Sequence, residues 1–180
     1  MVTRLLIDLN RSVGHPRLFS EFSRTLGQAE REALLDRYYF PYRLGIESWI
    51  EGQVRRGHQV VHIGIHSFAS ELGGLARHAD LGLLYDPSRT SERAFCQTWQ
   101  AALGQVDPLL RVRRNYPYLG KADGLTTHLR ALFGPRRYAG IELEANQALL
   151  ATAQGRRRAA KSVSESLRSV AEHIETIEWT

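Results

Sequence analysis

The chain has 180 residues, 43% of them apolar and 24% charged, the arithmetic of one globular domain over residues 1–180 and not of a disordered, collagenous or repeat protein. The net charge of +5 is carried almost wholly by arginines scattered among acids, Lys121 and Lys161 being the only lysines, which argues against a clustered basic stripe and against nucleic acid as a partner. No window approaches the roughly 18 uninterrupted apolar residues of a membrane helix, and Arg4 and Asp8 break the opening stretch too early for a secretory signal, so a soluble, cytoplasmic protein with no membrane partner is expected.

Short apolar runs alternate with longer amphipathic ones, the signature of βαβ units. Arg4 to Leu9 predicts a buried strand. Gln28 to Val54 follows helical spacing, with Leu34, Leu35 and Tyr38 on one face, continued by Tyr42, Ile46, Trp49 and Ile50 past a kink at Pro41, and Gly57 ends it. Gln59 to His66 is rich in β-branched residues and predicts a central strand, followed by a Gly73-Gly74 loop. Ala79 to Tyr85 is a third strand. Ser88 to Ser91 offers N-caps for a helix whose Ala94, Phe95, Thr98, Trp99, Ala102 and Leu103 share a face. Leu109 to Val112 predicts a short strand, Leu125 to Phe133 a short helix stopped by Gly134-Pro135, and Tyr138 to Leu143 a last strand. From Ala159 onward Val163, Leu167, Val170, Ile174 and Ile177 form one stripe of a C-terminal helix packed on the sheet. The expected architecture is a three-layer α/β domain with a mixed, largely parallel sheet flanked by helices.

In open α/β sheets ligands bind beyond the carboxyl ends of the strands. The five strands run into Asp8-Leu9-Asn10-Arg11, His66-Ser67-Phe68, Tyr85-Asp86-Pro87-Ser88-Arg89, Asn115-Tyr116-Pro117-Tyr118 and Glu144-Ala145-Asn146-Gln147. Strand ends are polar in any protein, so the pattern gains meaning only from particular residues. His62 and His66 share one face of the second strand across Gly64, but four strand residues span roughly 13 Å, so they do not share one metal. His66, at the strand end, is the candidate ligand, and His62 reads as a hydrogen-bonded core histidine. Cys96 is the only cysteine, so no cysteine cluster or disulfide contributes. Asn10-Arg11 leaves a buried strand where an arginine fork can hold a carboxylate; the alternative is a surface ion pair. Glu142 and Glu144 share a face of the last strand: Glu144, nearer the rim, suits a general base, whereas Glu142 reads as the partner of an arginine. His128, on the short helix, could reach the pocket; His15, His58, His78 and His173 read as solvated.

These segments, in this order and with Arg77 before the third strand and Arg89 after it, resemble the N-formylglutamate amidohydrolase family over about residues 3 to 150. The resemblance implies a phosphorylase/hydrolase-like fold of the zinc-carboxypeptidase kind. It also implies hydrolysis, by zinc-bound water, of an N-acyl (formyl) amide of an acidic amino acid, the small-molecule partner. On it, His66 matches a zinc ligand, Glu144 the general base, and Asn10 and Arg11 the residues holding the substrate carboxylate. Arg77 is expected at the substrate, and Asn115, Tyr116 and Tyr118 along the pocket, where a phenol can donate to an oxyanion. Family members carry a further N-terminal portion with the first strand and the remaining zinc ligands, a histidine among them. Here Met1 stands nine residues before Asn10, and no His-x-x-Glu pair follows. The expectation is therefore an N-terminally shortened domain with an incomplete zinc site, weakly active or inactive; the alternative is a non-catalytic carboxylate-binding homologue or an inactive fragment.

Overall fold

The computed structural model describes residues 3–172 and Trp179. Its first helical stretch is not continuous: α1 (Gln28–Leu34) passes through a π-helical turn (Leu35–Tyr39) into α2 (Phe40–Arg55). Pro41 has no N–H to donate to the preceding turn, so a wider turn just upstream absorbs the break, beside the predicted kink. That turn sets Tyr39 and Arg43 on one face, with the Arg43 guanidinium 5.1 Å from the Tyr39 ring.

The chain then forms β1 (Val60–Phe68), a tight hairpin of β2 (Glu71–Leu72) and β3 (Leu75–Ala76), β4 (Leu81–Leu84) and α3 (Thr90–Val106). It continues through β5 (Val112–Arg114), α4 (Leu125–Leu132), β6 (Tyr138–Asn146), α5 (Gln147–Leu150) and α6 (Ala153–Glu172). The main sheet has the order β1-β6-β4-β5, with β1 parallel to β6, β4 parallel to β5, and β4 antiparallel to β6. A mixed, mostly parallel sheet between helices is the architecture expected from the alternation of apolar runs.

Strand parity divides β6 into two chemistries. Ile141, Leu143 and Ala145 enter the main core with Leu81, Leu83, Phe95, Cys96, Trp99 and Leu103. Gly140, Glu142 and Glu144 face the other side, alongside His62, Gly64 and His66 of β1, their register partners. α6 closes the apolar face through α3, where the Trp99 indole donates to Ser166 Oγ at 2.9 Å. Its Val163, Leu167 and Val170 join the core; the predicted continuation through His173, Ile174 and Ile177 lies outside the described residues. On the opposite face Ile50, Val60, Leu125, Leu129 and Tyr138 form a second core under α2 and α4.

Two predicted strands differ. Arg4 to Leu9 is not a strand but a series of turns. Ile7 is buried as expected, with Leu18 and Tyr39, but side chains take the backbone carbonyls. Ser20 Oγ donates to the carbonyl of Leu5, Ser23 Oγ to that of Leu6, Tyr39 Oη to that of Arg11, and buried Arg43 to those of Leu9, Asn10 and Arg11. With these acceptors satisfied by hydroxyls and a guanidinium, no ladder is required. The fourth strand lies at Val112–Arg114 and not at Leu109 to Val112, because Asp107 turns the chain: its carboxylate accepts from Leu109 N and its carbonyl from Leu110 N.

β4 lies under the backbone of the 115–120 segment. A Cβ at Gly82 would stand 1.9 Å from the Tyr116 carbonyl oxygen. Gly82→Ala is therefore expected to displace that segment and cost about 1–3 kcal/mol or more by overpacking; an unchanged urea midpoint would contradict this close approach.

Candidate active site

The polar face of the sheet forms the floor of a cleft of about 950 Å³ whose other walls are the N-terminal turns, the π-turn region, and the loop and first turn leading into α4. The floor carries His62, Gly64 and His66 from β1, Glu142 and Glu144 from β6, and Leu84 from β4. Arg4, Arg11, Arg17 and Arg37 line the walls. A positive rim thus stands over an acidic floor, an arrangement that attracts a small anion and places it beside carboxylates.

Glu144 is the most perturbed group of that floor. It sits between its register partners His66 on β1 and Gly82 on β4, is 7% exposed, and its Oε2 is buried without a hydrogen-bond partner among the described residues. Burial, assisted by the neighbouring Glu142 charge, pushes its pKa up to about 7. The Tyr116 backbone over Gly82 is part of the reason that side is closed to water.

Among the described residues Glu142 does not pair with the arginine that the sequence predicts. Its Oε1 accepts from Asn10 Nδ2 at 3.4 Å and from Thr126 Oγ1 at 3.2 Å, so a neutral amide and a hydroxyl hold it in place. Asn10 also accepts from Leu125 N at 2.8 Å, capping the start of α4. Both ends of its side chain therefore serve α4 and Glu142. Arg11 donates to the Asp123 carbonyl at 2.8 Å and stands 4.0 Å from Asp8, and its side chain remains 24% exposed on the cleft wall. The Asp123 carboxylate accepts from Ser12 Oγ and from Ser12 N, the latter at 3.1 Å, which ties the two walls together.

His62 is half-buried and hydrogen-bonded as predicted, its Nδ1 lying 2.9 Å from Tyr138 Oη, yet it also lines the cleft. Burial lowers its pKa against the opposing pull of Glu142, so the ring is neutral near pH 7. His66 bends back along the strand: a Cβ at position 64 would lie 3.2 Å from its Nε2, so Gly64 makes room for the ring. His128 pairs with Glu47 at 3.1 Å and does not line the cleft.

Asn10, Arg11, His66, Tyr118 and Glu144 are thus brought to one cleft, whereas Arg77, Asn115 and Tyr116 do not line it. Arg77 reaches it indirectly, donating to Tyr118 Oη at 3.0 Å and lying over the Phe68 and Tyr118 rings. Asn115, in the left-handed region at φ 48°, turns its Oδ1 inward to accept from Tyr85 N at 3.1 Å and Gly120 N at 3.0 Å. Tyr116 faces Phe68 edge-on, with the Arg113 guanidinium 5.0 Å from its ring. Arg89, downstream of the third strand, clamps the end of α4 through the carbonyls of Arg130, Phe133 and Tyr138. Sequence reasoning missed Thr126 at the start of α4, Arg37 in the π-helical turn, and Asp123 and Arg17 in loops, which reach the cleft only through tertiary packing and leave no local pattern.

The donor set bears on the implied zinc. Among the described residues, no three or more His, Cys, Asp or Glu side chains are gathered to hold a metal ion. His66 and Glu144 are adjacent across β1 and β6, but a catalytic zinc normally takes three protein ligands, and the residues present do not fit that centre.

Two solved structures share this fold. A gene product from Agrobacterium tumefaciens aligns with a TM-score of 0.71 at 26% identity, over 93% of this chain and 69% of its own. An N-formylglutamate amidohydrolase from Ralstonia eutropha aligns with a TM-score of 0.71 at 20% identity, over 96% of this chain and 74% of its own. Among proteins with curated functions, none matches. Residues 1–151 match the sequence pattern of the N-formylglutamate amidohydrolases. With the match running from the arginine-bearing turns to the end of β6, and so over every segment that lines the cleft, the chain belongs to the N-formylglutamate amidohydrolase family.

Proposed function

We propose that the cleft hydrolyses the amide of a small N-acylated acidic amino acid, N-formylglutamate being the reference substrate. The observation that carries this reading is Glu144: a buried carboxylate, its pKa pushed up to about 7 by burial and one oxygen unpartnered among the described residues, on the floor of an arginine-rimmed cleft. Such a group takes a proton from water well near pH 7. The water oxygen bonds to the acyl carbon, the C–N bond breaks, and the proton passes to the leaving nitrogen, so that acid and amine are the products. His66, beside Glu144 in register, provides a second polar contact for the water or acyl oxygen. Arg11 and its arginine neighbours hold the substrate carboxylates. Tyr118, steadied by Arg77, closes one wall. No step of this scheme passes through a metal, because the donors present do not assemble a zinc site.

Hydrolysis of N-formyl-L-glutamate by the purified chain, followed by release of formate, tests the reading directly. Arg11→Met is expected to raise KM about 10–100-fold while kcat changes little, since a hydrogen-bonded charge contributes about 1.5–3 kcal/mol to binding. Saturable binding without turnover would instead support a carboxylate-binding homologue. The absence of both binding and turnover overturns the proposal.

A further inference from the structure

The histidine that the mechanism above leaves unused is set in an unusual way. Tyr138 is fully buried, and its hydroxyl has one partner among the described residues, His62 Nδ1. Burial raises the phenol's pKa, so it keeps its proton. A buried hydroxyl with one neighbour satisfies its hydrogen only by donating to that neighbour. Nδ1 is then the acceptor, and in a neutral ring the remaining proton resides on Nε2. The phenol reaches this position because residue 140 has no side chain: a Cβ there would lie 2.8 Å from Tyr138 Oη. Gly140 is in turn fixed through its backbone, its N–H donating to Glu92 at 2.9 Å and its carbonyl accepting from Arg130 at 2.5 Å. Ring nitrogen, phenol and glycine form a built arrangement on a histidine that lines the cleft.

We infer that His62 is a further catalytic residue, a neutral Nε2–H donor to the acyl oxygen of the amide, held in that tautomer by the hydroxyl of Tyr138. This rests on the reading of the cleft as an amide-hydrolysing site. A preset donor of this kind strengthens as negative charge gathers on the oxygen, so it acts on kcat more than on KM.

The test has one arm that needs no turnover. Nitrogen-15 NMR of the histidine rings in the intact chain is expected to show His62 neutral with its proton on Nε2, and Tyr138→Phe to release that preference. Gly140→Ala, which displaces the phenol but alters neither partner, is expected to do the same. A proton on Nδ1 in the wild type overturns the inference. In the second arm, with N-formyl-L-glutamate, His62→Ala is expected to lower kcat about 100-fold or more, with KM within about threefold. Tyr138→Phe, retaining the imidazole, is expected to lose less, about 10-fold. A folded His62→Ala protein with kcat within twofold of wild type also overturns it. A wild type that binds but does not turn over this probe removes the hydrolytic reading, and with it the catalytic role of His62, whatever the tautomer.

Discussion

Glu144→Gln is expected to lower kcat for N-formyl-L-glutamate by 10²–10⁴-fold, the usual contribution of a positioned general base, while leaving the fold intact. The wild-type rate is expected to rise about tenfold per pH unit up to about 7 and then level, because the carboxylate and not the acid takes the proton. The same residue makes a stability prediction of opposite direction. Its pKa in the folded chain lies above the ordinary carboxylate value of 4.5, so the folded state favours the protonated form. That contribution is fully present below the unfolded-state pKa and is lost as the pH rises through about 7. At about 1.4 kcal/mol per unit, the wild type is expected to lose about 3 kcal/mol relative to Glu144→Gln between pH 4 and pH 8. Urea unfolding of both proteins at the two pH values measures this. A constant gap, or a flat pH–rate profile, contradicts a carboxylate held near neutrality by burial.

Glu92→Ala is expected to destabilise the domain by about 3–5 kcal/mol, the cost of leaving a buried charge without its partner. Glu92 is fully buried, at 0% exposed, and Arg130 nearly so. One Glu92 oxygen accepts from Arg130 Nε at 2.8 Å and from Gly140 N at 2.9 Å, the other from Asp86 N at 2.8 Å. Arg130 also donates to the carbonyls of Gly120 and Gly140. The pair thus joins α3, α4, β6 and the segment after β5. Replacing both residues by methionine is expected to cost less than Glu92→Ala alone, since no unpaired charge then remains. Urea midpoints at fixed pH distinguish the outcomes, and a single-variant loss below about 1 kcal/mol would show that the pair is not the connector its geometry indicates. Because the pair fixes Gly140, the loss is also expected to reach the cleft through Tyr138 and His62.

Much of the fold is legible in the sequence where one periodicity dominates. β1, with Val60, Val61, Ile63 and Ile65, has the composition of a strand and no competing helical spacing. α3 exposes its core stripe in the recurrence of Phe95, Trp99, Ala102 and Leu103, all of them buried, whereas Ala94 is only half-buried and Thr98, placed on the same stripe, is exposed. Arg4 to Leu9 looks equally strand-like and is not one. The serine hydroxyls and Arg43 that take its carbonyls, with Tyr39 on the carbonyl of Arg11 just beyond, are supplied by residues 15–34 positions away, and no local pattern announces such partners.

The same division runs through the site. Parity along single strands is a local property, so sequence alone determined that His62, His66, Glu142 and Glu144 stand on polar faces of apolar strands, with Asn10 and Arg11 leaving another apolar run. Only the tertiary structure decided what those faces meet. The β1–β6 register sets His66 beside Glu144. Asn10 and Thr126 converge on Glu142, where an arginine was expected. The Tyr138 phenol, given room by Gly140, bonds one ring nitrogen of a core histidine that also lines the cleft. Hydrogen bonding and desolvation depend on the distance to groups remote in the chain; spacing along one strand tells which side chains are neighbours in sequence, and folding tells which are neighbours in space.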